Sequence, residues 1–270
     1  MCITCGCSGN GHQLLAFKSD GARANPAALK LAVAMPVNET LAPPVIEAPA
    51  PGKTLVEIER DVLGKNNKMA ERNRGYFEAR NIRAYNLVSS PGSGKTSILE
   101  RTLKEIGDKV RFYVIEGDQQ TARDAERIAA SGAAVVQINT GKGCHLEAQM
   151  VHEALRQLNP DANSVMMIEN VGNLVCPSAF DLGENARVVV ISITEGEDKP
   201  IKYPDMFHSA DLCLINKIDL LPYLKFDLEA LKNYARQVNP GLRFIEVSAS
   251  TGAGMDAWYQ YILEQNNTQS

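Results

Sequence analysis

Ser89-Ser90-Pro91-Gly92-Ser93-Gly94-Lys95-Thr96-Ser97 stands between an apolar run and Ile98-Leu99, so the chain turns sharply there from a strand into a helix. The spacing predicts a phosphate cradle. Amides of a loop built from Pro91, Gly92, Ser93 and Gly94, together with the helix N-terminus at Lys95, Thr96 and Ser97, suit anionic oxygens. Lys95 has the length to reach β and γ phosphates, and the Thr96 hydroxyl can ligate Mg²⁺. The usual pattern opens with glycine, whereas Ser89 occupies that position here.

Far downstream, Leu212-Cys213-Leu214-Ile215 runs into Asn216-Lys217-Ile218-Asp219, an apolar strand ending in a polar cluster. Such a cluster reads guanine. The Asp219 carboxylate can accept from the N1–H and the 2-amino group of guanine, a donor pair that adenine lacks, and a wrong base would leave a buried carboxylate unpaired. The Lys217 stem can lie on the ring and Asn216 can brace the loops. Ser248-Ala249, after Phe244-Ile245-Glu246-Val247, is placed to add a backbone amide for the guanine oxygen. In this order the motifs predict GTP and GDP as ligands.

The chain has 270 residues with 44% apolar content, enough for one large domain and an appendage. A net charge of −4 gives no basic field for nucleic acid or an anionic membrane surface. No stretch approaches the roughly 20 apolar residues that span a bilayer, and the expected location is the cytoplasm. The division reads as 1–53, a cysteine motif followed by an Ala/Pro-rich tether from Ser8 to about Gly52, and 54–270, the nucleotide domain. Thr54 and Glu57 form a capping box, after which Leu55, Ile58, Val62, Met69 and Tyr76 share one helical face. Gly64 marks a candidate break in that helix.

Beyond residue 84, strands at 85–89, 111–116, 134–138, 164–169, 187–193, 211–215 and 243–247 alternate with helical patterns such as Ala122 to Ala130 and Leu146 to Leu158. The expected fold is α/β, a three-layer nucleotide-binding domain with a mostly parallel central sheet. Functional groups of such sheets gather after the carboxyl ends of the strands. Two acids follow strands there, Asp118 and Glu169, and both are candidates to hold Mg²⁺ directly or through water. Gly172 would let backbone approach the γ phosphate. Lys95, Asp118 and Glu169 are therefore the catalytic candidates, Asp118 for positioning the attacking water. No glutamine or arginine finger stands out, and slow intrinsic turnover is expected.

Six cysteines divide into Cys2, Cys5 and Cys7 at the start and Cys144, Cys176 and Cys213 within the nucleotide domain. That is metal spacing and not a disulfide framework. With Met1 removed, the new α-amine and three thiols would make an N,S,S,S set for square-planar Ni²⁺; without the amine, tetrahedral Zn²⁺ is easier to build, and His12 is a weaker fourth ligand. Thr140-Gly141-Lys142-Gly143-Cys144-His145 follows one strand and Cys176 follows another, so Cys144, His145 and Cys176 are candidate ligands for nickel or zinc at the phosphate edge, open unless a second subunit completes them. Cys213 reads as core. His152 and His208 show no partners.

Cys2 to Cys7, Ser90 to Thr96, Asn139 to His145, Glu169 to Pro177, Thr194-Glu195-Gly196 and Asn216 to Asp219 together resemble the hydrogenase nickel-incorporation (maturation) GTPases. The resemblance is nearly full-length. It implies a SIMIBI-class P-loop GTPase that forms a GTP-dependent homodimer, with a tight nickel site at the N-terminal cysteines and a weaker nickel or zinc site at Cys144, His145 and Cys176. It also implies a small nickel-binding accessory protein and the hydrogenase large-subunit precursor as partners, and a Lys199 that reaches the other subunit's nucleotide. The long His-rich storage tract of some relatives is missing from this chain. The rivals are a urease-type accessory GTPase and a metallochaperone that uses GTP only as a conformational switch.

Overall fold

The computed structural model describes residues 12–17, 55–118, 123–141 and 143–267. Among them, eight strands form one sheet: β1 (Gln13–Phe17), β2 (Arg83–Ser89), β3 (Phe112–Asp118), β4 (Ala134–Asn139), β5 (Val165–Glu169), β6 (Ala186–Ser192), β7 (Leu212–Asn216) and β8 (Arg243–Glu246). Their order is β1-β4-β3-β5-β2-β6-β7-β8, and every pair is parallel except β1 with β4. All seven strands expected from the Val/Ile runs are present, each within two residues of its expected limits. Their continuous apolar character is explained by burial on both faces, as in the fully buried β6.

Helices cover both faces: α1 (Leu55–Ala79), α2 (Lys95–Ile106), α3 (Arg123–Ala129), α4 (Ala148–Leu158), α5 (Lys199–Lys202), α6 (Pro204–His208), α7 (Leu228–Val238) and α8 (Met255–Asn267). Ile98 and Leu99 of α2, Ile128 of α3 and Trp258 of α8 pack on Leu87, Val114 and Val188. The alternate strand residues face the other way, where Ala84 and Ile115 meet Phe77 of α1 and Val151 of α4, and Val88 and Val189 meet Phe207 of α6 and Leu231 of α7.

Two expectations are corrected. Gln13–Phe17, inside the span read as a tether, is a strand whose residues pair with β4 from Gln13↔Asn139 to Phe17↔Val135; five residues gave too short an alternation to stand out among the surrounding prolines. His12 beside it contacts Glu153, Nε2 to Oε2 2.6 Å, so its ring is engaged by α4. Cys2, Cys5, Cys7 and Thr54 lie outside the described residues.

The second correction concerns α1, which runs unbroken through Gly64 and buries Asn66, Ala70, Asn73 and Phe77, while Val62 is 45% exposed. Half of the buried face is asparagine, so an apolar count located the helix but not the face it buries. Asn66 donates to the Asp181 carbonyl at 2.7 Å and accepts the Ala148 amide at 2.9 Å. Asn73 donates to the carbonyls of Ala148 (2.8 Å) and Leu182 (3.0 Å), and its oxygen meets His152 Nδ1 at 3.2 Å, which gives His152 a partner the sequence did not reveal. The helix is thus fastened to α4 and to the loop before β6 by side-chain amides. Asn73→Ala would leave those carbonyls short of donors and should lower unfolding stability by about 2 kcal/mol. Exposed Asn67→Ala on the same helix should stay within about 0.5 kcal/mol of the parent in urea unfolding.

Candidate functional site

The phosphate loop follows β2. Gly92 (φ 78°) and Gly94 (φ 96°) take the left-handed backbone, and a side chain at Gly94 would strike the Asn216 amide. Lys95 Nζ donates to Ser89 Oγ at 2.7 Å, so the serine in place of the usual glycine holds the loop lysine. Lys95 is buried, and burial lowers its pKa against the pull of Glu169 and Glu116.

Register sets the acids. Glu169 ends β5 opposite Leu87 of β2 on one side and Glu116 of β3 on the other, and it accepts the Thr96 hydroxyl at 2.6 Å. A cleft of about 580 Å³ is lined by Pro91, Gly92, Gly94 to Ser97, Glu116, Asp118, Asp124, Arg127, Glu169, Gly172 and Lys217 among others. Burial, then repulsion from Glu169, Asp118 and Asp124, pushes the Glu116 carboxyl up to about 9; burial also raises Glu169, whose Oε2 has no hydrogen-bond partner. Crowded carboxylates beside a threonine hydroxyl are a hard-oxygen donor set, and they fit a divalent cation such as Mg²⁺. Gly172 sits against Pro91, where a Cβ would lie 3.1 Å from the proline Cα. The sequence reading missed Glu116, Asp124 and Arg127 as cleft residues; the signal available was that α3 leaves the same strand end as Asp118.

Glu195 was also unassigned. Its Oε1 accepts Ser93 Oγ (2.6 Å) and the Ser192 amide (3.1 Å), while Oε2 pairs with Lys199 Nζ at 3.0 Å. Burial opposes its charge, yet the Ser93, Ser90 and Lys199 contacts hold the carboxyl below its ordinary pKa. Lys199 also donates to Ser90 Oγ at 3.2 Å, so within one chain it braces the phosphate loop.

The residues expected to read the base lie close together. Asn216 donates to the Ser93 carbonyl (2.9 Å) and accepts the Ala249 amide (3.1 Å); Lys217, at φ 66°, donates to the Gly92 carbonyl (2.8 Å); Ser248 Oγ donates to Asp219 Oδ1 (2.5 Å). The Ser248 amide is itself bonded to the Ala253 carbonyl at 2.8 Å. Both amides of the Ser248-Ala249 pair are therefore used internally, and either would have to exchange its partner to meet a base.

At the same rim, Cys144, His145 and Cys176 bring their ligand atoms within 4.8 Å of one another. Cys144 Sγ is 3.6 Å from His145 Nδ1, and the imidazole lies against Phe180 with ring centroids 4.0 Å apart. Cys176 opens a 3-10 turn after β5, and His145 precedes α4. Burial lowers the His145 pKa to about 4, so the ring is neutral at physiological pH, and its buried Nε2 has no hydrogen-bond partner. Two thiols and an imidazole suit nickel or zinc. Cys213 is fully buried in β7 and its thiol is pushed up by burial, in keeping with a core role.

Asn170 joins the two sites. Its oxygen accepts the Leu146 amide (3.1 Å), next to His145, and the Val171 amide (3.0 Å), in the cleft wall; its nitrogen donates to Asn86 of β2 at 3.3 Å. Asn173 adds a second tie, donating to the Cys144 carbonyl at 3.3 Å and accepting the Val175 amide at 2.8 Å, one residue before Cys176.

The model of the CobW/HypB/UreG nucleotide-binding domain matches residues 83–246. The hydrogenase maturation factor HypB of Azotobacter vinelandii is 57% identical over 225 residues, 82% of this chain and 74% of the relative; that of Escherichia coli K12 is 56% identical over 219 residues, 80% and 76%. The crystal structure of HypB from Archaeoglobus fulgidus superposes with a TM-score of 0.71 at 40% identity, covering 76% of this chain and all of that one. HypB from Helicobacter pylori in complex with nickel gives 0.70 at 35%, covering 76% and 99%.

Unfolded, the His145 imidazole takes up a proton near pH 6.5; folded, only near 4. The metal-free protein should therefore lose stability as pH falls from about 6.5 to 4, by up to about 3 kcal/mol from this residue. His145→Gln should flatten urea unfolding midpoints across that window. An unchanged slope would show that the ring is not held neutral.

Proposed function

Since this chain belongs to the hydrogenase maturation factor HypB family, within the CobW/HypB/UreG nucleotide-binding domain, we propose that it is a GTP hydrolase that carries nickel toward the nickel-iron hydrogenase precursor. The observation that carries this reading is that the phosphate loop and the Cys144/His145/Cys176 cluster share one sheet rim and are joined through Asn170. Asp219 supplies base choice, Lys95 the charge against the β and γ phosphates, and Ser93, Glu195 and Lys199 the rigidity of the loop. Thr96 and Glu169 would hold Mg²⁺, with Asp118 directly or through water; bound there, the ion would neutralise charge developing on the transferred phosphoryl group. Asp118 is also the candidate to position the attacking water. In the absence of an arginine finger from another molecule, turnover is slow.

Nickel is the cargo. Cys2, Cys5 and Cys7 form the tight nickel site, and Cys144, His145 and Cys176 the second, which takes nickel or zinc. A GTP-dependent homodimer, a small nickel-binding accessory protein and the hydrogenase large-subunit precursor are the proposed partners, and the cytoplasm the proposed location. No helix among the described residues is long and apolar enough to cross a membrane.

Asp219→Asn should weaken GTP binding by about 100-fold or more, because the side chain no longer accepts both guanine donors. Xanthosine triphosphate, with an oxygen in place of the 2-amino group, should gain relative to GTP. Equal GTP affinity in a titration of parent and variant would remove Asp219 from base recognition.

Metal and GTP must alter each other's affinity by one factor if they are coupled. Nickel loaded at the internal site should change the GTP dissociation constant; in Asn170→Ala, which still binds each ligand alone, the effect should shrink toward unity. Single-turnover hydrolysis should stay below about 1 s⁻¹ without a partner. Identical GTP affinity with and without nickel at full internal occupancy would defeat the coupling, while faster turnover would defeat only the slow-hydrolysis reading.

A further inference from the structure

The amino edge of the sheet, opposite the phosphate loop, holds a second polar cavity of about 120 Å³. Its wall includes Arg83 at the start of β2, Arg243 at the start of β8, Tyr85, Asn185, Asp211, and Tyr261 of α8. Tyr85 is 1% exposed, and its hydroxyl is buried without a hydrogen-bond partner; Arg83 Nε is buried in the same condition. Arg243 Nη2 donates to Tyr261 Oη at 3.1 Å, leaving that hydroxyl its own proton to donate, and the guanidinium lies 4.7 Å from the Tyr261 ring centre.

Acceptors are scarce. The Asn185 side-chain oxygen takes the Ala84 amide at 2.7 Å, and one carboxylate oxygen of Asp211 takes the Arg187 amide at 2.8 Å. Two guanidinium charges and a buried phenol thus face one carboxylate. A buried donor without an acceptor destabilises the fold, a cost that a guest rich in acceptors removes. The volume equals that of about four water molecules, room for one small group and far too little for a nucleotide.

We propose that this cavity is a binding site for a small oxyanion, a phosphate or a carboxylate, held by Arg83, Arg243 and the Tyr85 hydroxyl. Guanidinium groups suit such oxygens in charge and in fork geometry. The site is separate from the nucleotide cleft: Arg83 and Ser89 end β2 at opposite edges, six steps of roughly 3.3 Å, or about 20 Å, apart.

The chain's one tryptophan reports on it. Trp258 lies 6.0 Å from the Tyr85 ring centre and 5.8 Å from that of Tyr261. The full chain, saturated with GDP and Mg²⁺ so that the phosphate loop is occupied, would be titrated with inorganic phosphate and separately with acetate, at constant ionic strength set with chloride. A saturable change in tryptophan fluorescence is expected. Saturation by phosphate alone identifies a phosphoryl ligand, and saturation by acetate a carboxylate such as a chain terminus. In Arg83→Gln/Arg243→Gln the anion affinity should fall at least about tenfold with GDP affinity unchanged. Tyr85→Phe, which keeps the ring, should raise the melting temperature of the anion-free protein and weaken anion binding about threefold or more; it carries the test if the double variant fails to fold. Absence of saturation with either anion at tens of millimolar, unchanged binding in the folded double variant, or a lowered melting temperature in Tyr85→Phe would overturn the proposal.

Discussion

Parallel pairing of β5 between β2 and β3 is the constraint on which the rest of this structure depends. It delivers Glu169 beside the phosphate loop on one side and beside Glu116 and Asp118 on the other, and it sends the following residues, Asn170 to Cys176, back across the same rim. A parallel sheet has no freedom to distribute these groups between its two edges. The carboxyl ends of these strands therefore arrive in one place, where burial makes each interaction strong and each unpaired charge costly.

The charge arrangement follows from that crowding. Lys95 is lowered by burial, and Glu116 and Glu169 are raised by burial and, for Glu116, by neighbouring acids. At the neighbouring cluster the same burial keeps His145 neutral, so one physical cause sets the charge state of both groups of side chains.

Much of this was legible in the residues. The Val/Ile runs marked seven strands because buried parallel strands require them, and the glycines and lysine of the phosphate loop and the Asn216 to Asp219 cluster marked their own chemistry. The closeness of Cys144 and His145 to Cys176 followed from all three lying just past strand ends. What escaped was polar or short. The inner face of α1 is half asparagine, which an apolar count cannot see, and Glu195, Asp124 and Arg127 act through tertiary neighbours that no local spacing announces. Ser89 read as a departure from the usual loop pattern, and its use became visible only once the Lys95 amine was seen resting on it.

The antiparallel pairing of Gln13–Phe17 bears on how copies of this chain behave toward one another. Without it, Ala134–Asn139 would present an open, largely apolar border able to recruit a strand from another molecule. With it, the sheet finishes in ribbons of five residues at one border and four at the other, the latter beginning with a charged arginine. Short borders make poor templates for aggregation, so trimming the chain to begin at the first long helix would trade solubility for simplicity.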